Sequence, residues 1–179
     1  NVLTDRENQY NRENHIDFLQ DIIIQCNAET REHIWYVENY TRILARVFAG
    51  LFPRSRMTAR KQEIIVQASH IHDIGKIAIP DIILSKKGRM SGFEYELMKK
   101  HTIKGSQIIR SMSWNMDKDF ERICYNVCLY HHEKHDGSGY PYKLVGNQIP
   151  FEASLVKVAD VYDALTRKRQ YKVKPSELC

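Results

Sequence analysis

The sequence predicts an all-α fold, and three observations carry that expectation. Apolar residues recur three and four apart along most of the chain, the spacing of one helix face. The 8 glycines and 5 prolines are few and gathered into short breaks, so they separate segments rather than interrupt them. No alternating apolar–polar stretch of strand length stands outside those breaks.

The elements follow in order. From about Asn8 to Cys26, Ile16, Leu19, Ile22, Ile23 and Cys26 recur at helical spacing. From Glu29 to Leu51 a second pattern runs through Ile34, Val37, Tyr40, Ile43, Leu44 and Val47, and Gly50 and Pro53 end it. Thr58 is placed to cap a helix from Lys61 to His72. The run Ile77-Ala78-Ile79-Pro80-Asp81 breaks it, because Pro80 disfavours helix at Ile79 and opens a short helix through Leu84. Ser91, with Glu94 as capping-box partner, starts a helix from Gly92 to His101. Gly105 falls inside the next helical pattern, where close helix packing is expected. Asp117 to His132 reads as a helix, His135 to Pro150 as a structured loop, and Ser154 to about Arg167 as the last helix.

Composition narrows the class. At 179 residues, 42% hydrophobic and 27% charged, the chain suits one globular domain with a real core. Its longest apolar run, Ile22-Ile23-Ile24, falls far short of the ~20 residues a membrane span needs, and no signal peptide is visible. The first residue is Asn1 rather than Met, which predicts a piece of a longer protein. None of the 4 cysteines forms a C-x-x-C pair, and Cys124 and Cys128 share a helix face, which predicts buried thiols and a reducing cytoplasm. The net charge of +5 is compatible with an anionic substrate, but it is too diffuse for duplex DNA. Its densest cluster, Arg167-Lys168-Arg169, reads by composition as a solvated helix end.

The 8 histidines are informative by placement. His72-Asp73 pairs an imidazole with a carboxylate, His131-His132 pairs two imidazoles, and His33, His101 and Asp160 lie on separate predicted helices. Glu29 and His33, like His72 and Lys76, are four apart and expected on one helix face, so these groups can converge inside a bundle. His15, His70 and His135 read as ordinary core or surface histidines. Nitrogen and oxygen donors without thiolate favour a catalytic metal such as iron or manganese over a closed structural zinc site. A carboxylate such as Asp73 can bridge two metals, and a pair roughly 3.5–4 Å apart activates water and neutralises phosphate charge.

The string His72-Asp73-Ile74-Gly75-Lys76-Ile77 resembles the core of the HD phosphohydrolase superfamily. The string from His131 to Pro141 resembles the HHExxDGxGYP motif of the HD-GYP family. The segments from Ile79 to Leu84, from Met98 to Gly105 and from Val158 to Thr166 are also family-like, so the resemblance spans about Glu29 to Lys172. It implies an HD-superfamily helical bundle with a metal centre in its core and a structured GYP loop. Residues 1–28 then form a linker or signalling helix, and 29–179 form the phosphohydrolase domain, which family members usually continue beyond the position of Cys179. The resemblance implies Glu29, His33, His72, Asp73, His101, His131, His132 and Asp160 as ligands to two or three divalent transition metals, iron or manganese. Asp73 and Lys76 are implied in catalysis. Lys76, Tyr140, Asp163, Arg169 and Lys172 are implied at the substrate.

The implied activity is hydrolysis of cyclic di-GMP to pGpG or GMP, as the output domain of a bacterial signalling protein. The polar helical lead from Asn8 to Cys26 and the internal-looking start at Asn1 predict an upstream sensory or receiver domain, and such a helix can pair with a second copy as a coiled coil. Three rival readings are a hydrolase of the mixed cyclic GMP-AMP, another nucleotide phosphohydrolase, and a non-catalytic binding module. The full ligand set argues against the last. His135 departs from the motif, filling a position that is often aromatic.

Overall fold

The computed structural model describes residues 2–26, 28–112 and 117–166. Among them are eight α-helical segments, and the one β feature is an isolated bridge between Asp136 and Val145, as the all-α expectation requires. The helices are α1 (Val2–Gln25), α2 (Arg31–Leu51), α3 (Ala59–Ser69), α4 (Asp81–Leu84), α5 (Gly92–Lys99), α6 (His101–Ser111), α7 (Lys118–Tyr130) and α8 (Phe151–Thr166). Among the described residues, no helix is long and apolar enough to cross a membrane.

Helix starts are set by side chains that satisfy the free N–H groups of the first turn. Thr30 Oγ1 accepts from His33 N at 3.2 Å, and Thr58 Oγ1 accepts from Lys61 N at 3.2 Å. Ser91 and Glu94 form the expected capping box at the start of α5. Asp117 Oδ1 accepts from Asp119 N and Phe120 N to begin α7.

The core lies where α2, α3, α7 and α8 meet, with α6 packed on α7. Ile34, Val37, Ile64, Ile65, Phe120, Ile123, Val127, Leu155 and Val156 fill it. Ile16, Leu19 and Ile23, one face of α1, belong to the same cluster, and α1 rests on α3 and on the segment Ile74–Ala78. Cys124 and Cys128 are buried thiols, as their spacing predicts.

Two elements differ from expectation. Along α2 the buried stripe is His33, Val37, Thr41 and Ala45, while Ile43 and Val47 are exposed. The helix is rotated to turn His33 inward, at the cost of two apolar side chains on the outside. The third helix ends at Ser69 rather than reaching His72. There His70 N and Ile71 N bond to carbonyls three residues back, and a 3₁₀ segment follows over Ile74–Ala78. In 3₁₀ geometry residues three apart eclipse. Asp73 and Lys76 therefore meet, where a helix would have aligned His72 with Lys76.

Candidate metal centre

Two turns and three helices bring the histidines, Asp73 and Asp160 together. His72 and Asp73 occupy the tight turn after α3, and His101 is the first residue of α6. His131 and His132 follow the last turn of α7, His33 opens α2, and Asp160 lies on α8. The turn bearing Asp73 can approach α6 only because Gly75 has no side chain. A Cβ there would stand 1.9 Å from His101 O and 2.4 Å from Gly105 N. Gly105 is therefore a site of close packing, as its place in the helical pattern suggests.

The donor atoms form two groups that share one residue. Asp73, His101, His131 and His132 make one, and His33, His72 and Asp73 make the other; within each group the ligand atoms lie within 4.8 Å of one another. His101 Nε2 stands 3.1 Å and His131 Nε2 3.6 Å from Asp73 Oδ1, while His72 Nε2 stands 3.2 Å from Asp73 Oδ2. Asp160 Oδ1 is 3.6 Å and Glu29 Oε2 3.9 Å from His33 Nε2, so both carboxylates flank the second group.

The imidazoles are oriented from behind. The Nδ1 atoms of His72, His101 and His131 lie 2.7, 2.7 and 2.9 Å from the carbonyls of Ser69, Met98 and Val127. A carbonyl only accepts, so each Nδ1 carries a proton and each Nε2 is the atom turned to Asp73, where it takes either a proton or a metal ion. His33 Nδ1 is held by Asp163 Oδ2 at 2.6 Å. Carbonyl and carboxylate partners behind metal-binding imidazoles fix the tautomer in this way.

Charge concentrates at Asp73. Burial alone would raise its carboxyl pKa, but Lys76, His72 and His101 outweigh that and hold it well below the usual carboxylate range. Burial disfavours charge on His72, yet Asp73 and Asp160 outweigh it and lift that imidazole to about 9. Lys76 is held above its ordinary value: burial opposes its charge, and Asp73 and Glu29 overcome it. Its Nζ lies 2.7 Å from Asp73 Oδ2 and pairs with Glu29 Oε1 on the other side. Burial keeps His132 neutral.

These residues fit a metal centre. His72 Nε2 and Asp73 Oδ1 are buried and take part in no hydrogen bond of acceptable geometry, although imidazole nitrogens crowd the carboxylate at 3.1–3.6 Å. Inward lone pairs of nitrogen and oxygen repel one another unless a cation or proton lies between them. The donor set, imidazole and carboxylate without thiolate, suits a catalytic transition metal.

Of the residues expected at the substrate, Lys76 and Tyr140 reach this centre. The Tyr140 ring stacks on His132 with centroids 4.7 Å apart and meets His101 edge-on. Asp163 faces His33 rather than solvent. It is 2% exposed and sits behind His33, because its turn of α8 faces the core. Arg169 and Lys172 lie outside the described residues. His70 Nε2 lies 3.3 Å from Glu38 Oε2, and His70 belongs to neither donor group. Sequence reasoning passed over Glu133, which is buried beside His132 and binds the loop that follows. Its signal was an acidic residue directly before a glycine-rich loop.

A buried imidazole and carboxylate cluster on an all-helical scaffold, with the His72-Asp73 pair at its middle, defines an HD-type centre. The HD domain family matches residues 25–177, and the chain belongs to that family, in its HD-GYP form. A Vibrio cholerae protein named cyclic di-GMP phosphodiesterase is 37% identical over 147 residues, covering 80% of this chain and 30% of that protein. A second Vibrio cholerae protein, named 3'3'-cGAMP-specific phosphodiesterase 2, is 36% identical over 82% of this chain and 26% of its own length. The cyclic di-GMP phosphodiesterase response regulator RpfG of Xanthomonas campestris is 45% identical over 65% of this chain and 30% of its own length. The chain thus spans less than a third of each of these relatives.

Proposed function

We propose that this chain is the metal-dependent phosphodiesterase domain of a longer bacterial signalling protein, hydrolysing cyclic di-GMP to pGpG or GMP. The observation that carries this reading is Asp73, which belongs to both donor groups of one buried cluster. His33, His72, Asp73, His101, His131, His132 and Asp160 would hold two divalent metals, iron or manganese, with Glu29 available to a third. Such metals supply Lewis acidity and positive charge against an anionic phosphodiester.

The chain's own groups do the rest. Asp73 and Glu29 keep the Lys76 ammonium protonated and aimed at the cluster, where it donates to a phosphate oxygen. Tyr140 covers His132 and keeps water from that side of the ligand sphere. Arg169 and Lys172 are assigned by motif match alone to the second phosphate of the dinucleotide. The greater lengths of the relatives, one of them named a response regulator, support further domains in the parent protein, and we place a sensory or receiver domain upstream and the whole in the cytoplasm. Tyr10 and Phe18, exposed on α1, support pairing of that helix with a second copy.

The test is turnover by protein purified anaerobically and loaded with Fe(II) or Mn(II), with the products identified. Linear pGpG or GMP from cyclic di-GMP is the expected result, and a metal-loaded protein inert to cyclic dinucleotides refutes the reading. The similarity to a 3'3'-cGAMP-specific enzyme favours including that dinucleotide as a competing substrate.

A further inference from the structure

Glu133 is 0% exposed and adjoins two ligand histidines, yet it belongs to neither donor group. Its carboxylate is committed elsewhere. Oε1 accepts from Tyr142 N at 2.6 Å and Oε2 accepts from Leu144 N at 3.0 Å. These bonds hold the return limb of a loop whose only β feature is the Asp136–Val145 bridge. The Glu133 carbonyl accepts from Lys157 Nζ at 2.6 Å, tying the same residue to α8. The outgoing limb is fixed on it too. A Cβ on Gly139 would stand 2.5 Å from Glu133 Cα and 2.3 Å from Lys134 N. Between these contacts lies Tyr140, whose N–H donates to His132 O at 3.3 Å and whose ring stacks on the His132 imidazole.

We propose that Glu133 is a positioning residue: its carboxylate fixes the limb through Leu144 and thereby presses Tyr140 onto His132, shaping the wall that receives the dinucleotide. The substrate part rests on the function proposed above; the loop-holding part does not. A carboxylate accepts on both oxygens and donates nothing, so it satisfies two backbone N–H groups at once. Glutamine is the same shape but turns an NH₂ towards one of those N–H groups and leaves it unpaired.

In metal-loaded protein, Glu133→Gln is expected to keep its metal content while KM for cyclic di-GMP rises about tenfold or more and kcat changes less. Tyr140→Ala should raise KM similarly, and the double variant should be no worse than the single ones, because the two act as one unit. Additive effects overturn the proposal, and so does a variant that loses metal and kcat together at unchanged KM. A second measurement needs neither variant nor substrate. Hydrogen exchange of the Tyr142 and Leu144 amides in the unaltered protein should be slow, and exchange at the rate of open solvent overturns the proposal even if Glu133→Gln does not fold. Slow exchange in a protein that hydrolyses no cyclic dinucleotide supports the loop-holding role and overturns the substrate reading instead.

Discussion

His33 Nδ1 and Asp163 Oδ2 lie 2.6 Å apart in the core, joining the start of α2 to α8 behind the Nε2 edge that faces Asp160 and Glu29. The carboxylate fixes the proton on Nδ1 and makes Nε2 a better donor. Asp163→Asn keeps the shape and removes the charge. It should weaken metal binding by about 10–100-fold, read by competitive titration with a chelator. An unchanged affinity would reduce Asp163 to a packing residue.

Asp73→Ala should abolish metal retention and turnover together. No other side chain is common to both donor groups, and the variant leaves His72 and Lys76 facing each other without their shared anion. Elemental analysis after desalting checks the first point. Near-normal metal content in this variant would contradict the shared-ligand geometry.

Gly75→Ala places a methyl group 1.9 Å from the His101 carbonyl, against backbone that cannot rotate aside. The turn and α6 must separate, moving Asp73 from His101. The loss of stability should reach about 3 kcal/mol, the upper part of the range for overpacking, with metal retention falling in parallel. Urea melts and metal analysis on the same preparations decide it. Gly50→Ala is the control, since its Cβ meets nothing within 4 Å.

Away from the metal centre, Glu38 joins α2 to the end of α3 through His70, and a hydrogen bond from Arg42 adds to it. These partners hold the Glu38 carboxyl at about 2, below its ordinary 4.5, with the His70 bond the largest cause. A carboxyl lowered in the folded state stabilises the protein above its unfolded value and loses that contribution as pH falls through the folded one. Glu38→Gln should therefore cost about 1 kcal/mol at pH 7, after discounting for its partial exposure. The cost should vanish near pH 2. Melting curves across that range test the sign.

The helices were legible because their signals are local. Thr58 and the Ser91–Glu94 pair act within one turn, and the structure uses both as caps. The end of α3 was not legible, because the 3₁₀ turn follows from Gly75 docking on α6, a contact between distant segments. The histidine and carboxylate pairs announced a metal site by residue type. Which of them converge depends on packing between helices far apart in sequence, and there the family resemblance carried what periodicity could not. Asp163 shows the limit. It lies three residues beyond Asp160 on α8, and only the rotation of that helix against the core decides that it meets His33.

The N-terminal helix has a mechanical bearing on all of this. Ile16, Leu19 and Ile23 share one cluster with Ile71 and Ile74, the residues on either side of the His72-Asp73 pair. A displacement of α1 therefore has a route to that pair through one shared apolar cluster. It need not travel along the chain through α2 and α3. Between α1 and that turn, Ile16, Leu19 and Ile71 also line one small apolar cavity, so the lever has room to give at this point.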